Sequence, residues 1–436
     1  MRLAFVAFGV LVLSALPDAA LAHAILLRVD PPTGRTLPGA PPTVRLLFSE
    51  PIDPEFSRVQ VLDETGKQVD QGDSRVDDTQ LTVSLQTGLG NGVYIVNWRS
   101  LSTIDVHPET GQYALFVGVP PTATGTLTQR NESTPGTIVA RWWLYVAASV
   151  FAGSLAAWKL VFGPVLGTDS SARSVALARV HRVALVAGVL LLVGTLFAAV
   201  AQAAAAAGVP MTSAFGNPLR DLLTRGRFAG IWWPRLGISV VAFAIVAWRG
   251  LDDAWSESAA AMVPAILLTN SLTSHGATLP LAVVGVVLDW VHVLAAAIWV
   301  GGLANLAIVA PVLRRADSSV LPGVVRRFTR LAIVSVLAIL VSGAVQAALE
   351  IGSWEGLVGT SYGQGVLVKV ALLAGMIGLA ALHQRRGGRL PFERGVRLEL
   401  ALGLVVLAVA AVVAGTTPAR QTSAPGTATA AQVNSP

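Results

Sequence analysis

The chain contains no cysteine and only four methionines in 436 residues. Disulfides, thiolate zinc sites and iron–sulfur clusters are thereby excluded. A methionine-rich soft-metal site is excluded too, because only Met211, Met262 and Met376 lie beyond the amino-terminal segment. Charge is scarce: 13% of residues are Asp, Glu, Lys or Arg against 53% hydrophobic, and mean hydropathy is +0.64. Such a chain is too apolar for a soluble globular protein. The long loops carry no Gly-x-x-x-x-Gly-Lys-Ser/Thr sequence, so nucleotide hydrolysis is not indicated as an energy source. The formal charge of +6 needs no nucleic acid to explain it, since membrane chains gather Arg and Lys on their cytoplasmic loops.

What is present begins with a secretory signal over residues 1–22. Arg2 gives a short positive start, residues 3–16 an apolar core, Pro17 a break, and Ala20-Leu21-Ala22 a small-residue cleavage site. Cleavage there leaves His23 at the amino terminus, where its α-amino nitrogen and ring Nδ1 can chelate one ion. Neutral nitrogen donors suit copper, zinc and nickel, and both must be deprotonated to bind.

Residues 23–118 alternate polar and apolar side chains in short runs, at 43–48, 58–62, 80–85, 93–99 and 112–117. Turn signals such as Pro31-Pro32-Thr33-Gly34 and Gly88-Leu89-Gly90-Asn91-Gly92 separate them. The spacing predicts an all-β domain, a small antiparallel sandwich or barrel. Between the last two runs lies Asp105-Val106-His107-Pro108. In extended backbone Asp105 and His107 share a face. Joined to the amine and ring of His23 they supply three nitrogens and one oxygen, a tetragonal set that favours Cu(II). The alternative is a surface turn with a chance Asp-x-His.

Residues 119–140 are rich in Pro, Thr and Gly and read as a linker. Residues 141–416 then form an all-α polytopic membrane domain of about eight helices, expected near 142–162, 180–204, 228–248, 259–272, 281–313, 331–349, 365–383 and 396–414. Residues 417–436, mostly Ala, Thr, Ser and Pro, read as a disordered tail. An even number of crossings returns the tail to the side of the β domain. Arginine supports this arrangement: Arg173, Arg179, Arg249, Arg314, Arg315, Arg326 and Arg327 fall in expected inner loops, and far fewer in outer ones, among them Arg220, Arg225 and Arg227.

Ionisable residues within a bilayer are costly and mark function. The fifth span carries Asp289 and His292, three apart on one helical face with Trp299. The carboxylate can orient the imidazole and balance a cation, and His275 lies at the outer mouth of the fourth span. The competing reading makes His292 and Asp289 a hydrogen-bonded packing pair. Lys369 is a candidate ion-pair partner of Glu350, and Gly301-Gly302 and Gly343 are expected to permit close helix approach.

The outer half resembles the periplasmic copper-binding family CopC, in Ala22-His23-Ala24, Leu46-Leu47-Phe48-Ser49-Glu50-Pro51, Tyr94-Ile95-Val96-Asn97-Trp98-Arg99, and Asp105-Val106-His107-Pro108 followed by Gly111. The resemblance implies a seven-stranded Greek-key β-barrel that binds Cu(II) through an amino-terminal histidine brace. By position His23 is the brace, His107 the second imidazole, Asp105 the carboxylate, and Glu50 a partner behind them. Val106 departs from the glycine common at that position. The membrane half resembles the copper-resistance family CopD in Ser274-His275-Gly276-Ala277, in Asp289-Trp290-Val291-His292 leading to Trp299-Val300-Gly301-Gly302, in Tyr362-Gly363 with Lys369, and in Gly415-Thr416-Thr417-Pro418. Natural CopC–CopD fusions have this domain order, and the family is associated with copper uptake. His275, Asp289 and His292 carry over as a candidate transmembrane copper path.

The leading expectation is therefore a multi-pass protein of the cytoplasmic (inner) membrane with its amino-terminal domain on the periplasmic or extracellular side. It captures Cu(II) and passes copper inward, without enzymatic activity. Its partners are the copper ion and the lipid bilayer, with an unidentified periplasmic copper donor or reductase and no nucleic acid. One alternative is a haem- or copper-linked membrane redox protein, using His181, His275, His292 and His383 as axial ligands. Another is a membrane-anchored copper storage or delivery module. A copper monooxygenase needs an open coordination position, which Asp105 and His107 would close.

Overall fold

The computed structural model describes residues 24–422, apart from 105, 122–126, 132, 169, 280 and 386–391. The expected signal segment, His23, Asp105 and the tail beyond residue 422 lie outside the described residues.

The alternating runs form strands whose apolar faces meet. β1 (Leu26–Asp30), β3 (Thr43–Phe48), β5 (Arg75–Asp77) and β6 (Gln80–Ser84) make one sheet in the order β1-β3-β6-β5. β2 (Thr36–Leu37), β4 (Arg58–Leu62), β7 (Gly92–Leu101) and β8 (Pro108–Val117) make the second, ordered β2-β8-β7-β4. The alternate residues Val44, Leu46 and Phe48 of β3 face Val96, Trp98 and Tyr113 of β7 and β8 in one buried core. The expected linker is not structureless: β9 (Thr128–Asn131) extends the second sheet along β8. Gly111 explains itself here. Trp98 lies directly across from it, and a Cβ at Gly111 would stand 2.0 Å from the Trp98 ring and 2.2 Å from the Thr128 carbonyl oxygen.

The membrane domain contains α1 (Pro135–Ala156), α2 (Ser171–Ala207), α3 (Gly226–Arg249), α4 (Trp255–Ser271), α5 (Ala282–Ala316), α6 (Leu321–Ile351), α7 (Ser361–Arg385) and α8 (Phe392–Val413). Pro135 opens α1 inside the expected linker, with Thr134 capping the helix through the Thr137 amide. Seven of the helices are long and apolar enough to cross a bilayer. The remaining one, α4, has 17 residues, a rise of roughly 26 Å at ~1.5 Å per residue, near the lower limit for a span. It still returns the chain to the end where α3 began, because Arg227 Nη2 donates to the Leu272 carbonyl at 2.9 Å. The bundle also closes on itself: Ser133 Oγ, just before α1, donates to the Gly415 carbonyl after α8 at 2.7 Å. The chain enters and leaves the bundle at one end, as an even number of passes requires.

Close packing of α1 on α5 holds the centre. A Cβ on Gly301 would lie 1.8 Å from the Ser149 carbonyl oxygen, and one on Gly153 would lie 2.1 Å from the Gly301 backbone. Beside this crossing Asn305, fully buried, donates to Ser154 Oγ at 3.0 Å and to the Gly301 carbonyl at 2.9 Å, so its amide is satisfied without water.

The β domain sits directly on the end of the bundle where the chain enters. Phe56, Leu101 and Val106 pack with Val200, Ala203, Ala204 and Leu222. Arg99 Nη1 donates to the Ala205 carbonyl at the end of α2 at 2.8 Å, where the helix dipole favours a cation. Arg225 pairs with Glu55. Arg227 Nη1 donates to the Ile104 carbonyl at 2.9 Å, so two of the few arginines expected in outer loops, Arg225 and Arg227, hold the domain contact.

Candidate functional site

The turn between β7 and β8 builds the site. Its backbone is folded back by Thr103 N donating to the Pro51 carbonyl at 3.1 Å and Ile104 N donating to Ser102 Oγ at 3.0 Å. Val106 sits at φ +61°, a left-handed conformation that costs a β-branched residue about 1–2 kcal/mol. Two features offset that cost: Val106 is buried against α2, and its carbonyl accepts from Gln202 Nε2 at 2.6 Å. The turn thus requires the conformation that glycine adopts without strain, and here the bundle imposes it on valine. Ile104, Val106 and His107 are all buried, so this segment is not a surface turn.

His107 points out of the β domain into the bundle. Its Nε2 lies 3.2 Å from the Ala414 carbonyl beyond α8. A carbonyl only accepts, so Nε2 carries the proton, and in the neutral ring the lone pair is on Nδ1. The imidazole stacks on that of His275, with ring centroids 5.5 Å apart and planes 25° apart. His275 opens the short 3₁₀ turn His275–Thr278 between α4 and α5. That turn is pressed against α5 by a glycine pair: a Cβ on Gly276 would lie 2.6 Å from the Gly285 carbonyl oxygen, and one on Gly285 would lie 2.1 Å from that of Gly276. Tyr362, at the start of α7, meets His275 edge-on at 6.0 Å and donates its hydroxyl to the buried Glu350 carboxylate.

A cavity of about 460 Å³ begins at these rings and continues between the helices, lined by His107, His275, Asp289, His292, Glu350 and Lys369 among others. His107 and the three membrane residues singled out by sequence thus border one space. Asp289 and His292 do not pair with each other as their spacing suggested. Asp289 faces the Ser271 and Ser274 hydroxyls. His292 Nδ1 lies 3.1 Å from Ser342 Oγ on α6, whose own proton goes to the Ala338 carbonyl at 2.6 Å. Nδ1 therefore donates, and Nε2 holds the lone pair. Gly343 makes room for this ring, since a Cβ there would be 3.1 Å from His292 Cε1. Lys369 stands within electrostatic reach of both Glu350 and Asp289, while the Glu350 carboxylate accepts from the Tyr362 hydroxyl. His181 lies at the opposite end of the bundle, its Nε2 donating to the Val246 carbonyl at 2.9 Å, so it does not converge with His275 and His292 on one cofactor.

Of the residues expected behind the outer ligands, Glu50 is buried at 1% exposure, next to the Pro51 carbonyl that anchors Thr103. Ala24 is fully buried, and Ile25 exchanges hydrogen bonds with Ser49. The first described residues are therefore fixed beside the Ser49-Glu50-Pro51 run and the 102–107 turn. Among the described residues no three His, Asp or Glu side chains converge closely enough to hold a metal ion. One cavity residue escaped the sequence reading, Arg235 on α3, and Tyr362, quoted there only within a family motif, proves to be the link between His275 and Glu350. The signal for Arg235 was a lone charge inside the apolar third span.

Family models match this architecture in order: the CopC domain at residues 26–118, the copper resistance protein D-like N-terminal domain at 132–280, and copper resistance protein D at 322–413. The chain is a CopC–CopD fusion. Helix α5, with Asp289 and His292, falls between the two membrane-domain matches. Among curated proteins the fusion is 29% identical over 414 residues to copper transport protein CutJ of Bacillus subtilis, an alignment covering 91% of this chain and 74% of that one. Protein YobA of Escherichia coli is 30% identical over 114 residues, 26% of this chain and 91% of its own length. The crystal structure of CopC from Methylosinus trichosporium OB3b aligns at 31% identity and TM-score 0.21, covering 22% of this chain and 93% of that one. The fusion is thus a multi-pass, copper-handling membrane protein of the copper resistance and transport families.

Proposed function

We propose that the β domain faces the periplasm, captures Cu(II) through His23, Asp105 and His107 with Glu50 behind them, and delivers copper through the membrane domain toward the cytoplasm. The observation that carries this reading is the stack of His107 on His275 at the mouth of the cavity that Asp289 and His292 also line. A ligand of the outer site and the first imidazole of the membrane domain are then neighbours, and transfer needs no diffusion through bulk solvent. Direct docking raises the effective concentration of captured copper at the entrance further than a flexible tether would. Along the cavity the lone pairs on His107 Nδ1 and His292 Nε2 are the imidazole donors set by their hydrogen bonds, while Asp289 balances the cation's charge where solvent is excluded.

The test is copper accumulation in cells expressing the intact chain, His23→Ala, His275→Ala or His292→Ala at equal membrane levels. Uptake by the intact chain, lost in His275→Ala and His292→Ala and weakened at low external copper in His23→Ala, is the expected result. Equal accumulation in all four and in the empty vector would sink the uptake reading.

A further inference from the structure

The cavity also holds a positive charge that the copper reading does not use. Arg235 lies on α3 two turns past Gly226–Ala229 and is 91% shielded from solvent, with 9% of its surface exposed. Its Nε donates to Thr269 Oγ1 at 2.8 Å and its Nη2 to the Thr269 carbonyl at 2.8 Å. A guanidinium has five N–H donors, so one threonine leaves most of the fork unfilled. Among the described residues no carboxylate lies within 4 Å of it. The titratable side chain in electrostatic reach is Tyr145 on α1, a phenol that brings no negative charge near neutral pH. Arg235 and Tyr145 both line the cavity, together with Asn270 and Trp232.

Burying a full charge without a counter-ion costs several kcal/mol even after relaxation, and more so within a bilayer. The cavity's two acids interact with a different cation. Asp289 and Glu350 share the neighbourhood of Lys369, while Arg141 adds a third cation to the lining. The cavity walls therefore carry an excess of positive charge, with Arg235 as the member that lacks an acid.

We propose that Arg235 holds a small monovalent anion of the chloride class in this cavity. One guanidinium matches one negative charge, so a dianion such as sulfate would leave a buried charge of its own uncompensated. Trp232, Ile231 and Leu267 close the adjacent wall with apolar surface, which favours a weakly hydrated ion over one that must keep its water. Tyr145 and Asn270 supply neutral donors of the kind that complete an anion's shell. The proposal rests on the cavity and its charges and not on copper.

The experiment is equilibrium binding of radiolabelled chloride to the full chain in nanodiscs of zwitterionic lipid, without copper. Saturable binding near one chloride per chain is expected, displaced by bromide and nitrate but not by sulfate, and weakened at least tenfold in Arg235→Gln. Absence of saturable binding to the wild-type chain overturns the proposal, as does unchanged affinity in Arg235→Gln. Should the glutamine variant not remain monodisperse, Arg235→Lys keeps the charge and loses the planar fork. It should then bind chloride at least threefold more weakly, and equal affinity overturns the assignment. Because copper is absent, neither result depends on whether the uptake reading survives.

Discussion

Arg227 ties the two halves together, and its removal gives the sharpest test of docking. Its Nη1 donates to the Ile104 carbonyl in the β7–β8 turn at 2.9 Å, and its Nη2 donates to the Leu272 carbonyl just before the His275 turn at 2.9 Å. One side chain thus fixes the segment carrying His107 relative to the segment carrying His275. Hydrogen bonds from a charged group contribute about 1.5–3 kcal/mol each. Arg227 is only half-buried, so water replaces part of what is lost and the low end applies. Only the Ile104 bond crosses between the domains, since Leu272 belongs to the bundle as Arg227 does, so Arg227→Ala should cost about 1.5 kcal/mol of docking, or roughly tenfold in the ratio of docked to undocked forms. The assay is electron–electron distance measurement between spin labels at Lys67→Cys and Glu355→Cys, both exposed positions in a chain with no other cysteine to label. In urea the pair should separate at a clearly lower concentration in Arg227→Ala, with Arg227→Lys intermediate. An unchanged midpoint refutes the assignment of Arg227 as the clamp, and docking would then rest on the apolar contact of Phe56, Leu101 and Val106.

Two further substitutions probe the parts that present the imidazoles. Gly111→Ala forces a methyl to within 2.0 Å of the Trp98 ring and 2.2 Å of a backbone oxygen that cannot yield; a destabilisation of about 3 kcal/mol is expected, read as a lowered thermal midpoint with changed tryptophan fluorescence. Ser342→Ala removes the hydroxyl that accepts from His292 Nδ1, which should cost about 1 kcal/mol and free the ring to turn. Copper uptake should fall severalfold while protein level and thermal midpoint stay close to wild type, and uptake equal to wild type would show that the ring's orientation is not held by Ser342.

The pattern of apolar residues was enough to find both layers of the molecule. Strict alternation in 43–48 and 58–62 determines which side chains of β3 and β4 face inward, because strand side chains alternate sides. Long apolar runs determine the spanning helices, because a bilayer leaves backbone groups no partner but one another. The glycines at 111, 301 and 343 were visible as residues, and the reason for each became visible only with its neighbour in place: Trp98, Ser149 and His292 lie far away in sequence. Asp289 and His292 were legible as a site by their cost in a bilayer, yet their pairing was misjudged, since helical spacing describes one helix, and the groups around each, Ser271 and Ser274 near Asp289 and Ser342 bonded to His292, come from the segments packed around it. Likewise the sequence marked residues 119–140 as a tether, a reading of local composition that has no view of β9 joining β8 or of the β domain seated on the bundle. Composition and periodicity by themselves determined the β strands, the apolar helices and the candidate donors, because these follow from local geometry and transfer free energy. Only the tertiary structure decided that His107 meets His275, that one cavity joins them to Asp289 and His292, and that Arg235 lies there without an acid, because each depends on contacts between segments that no local pattern encodes.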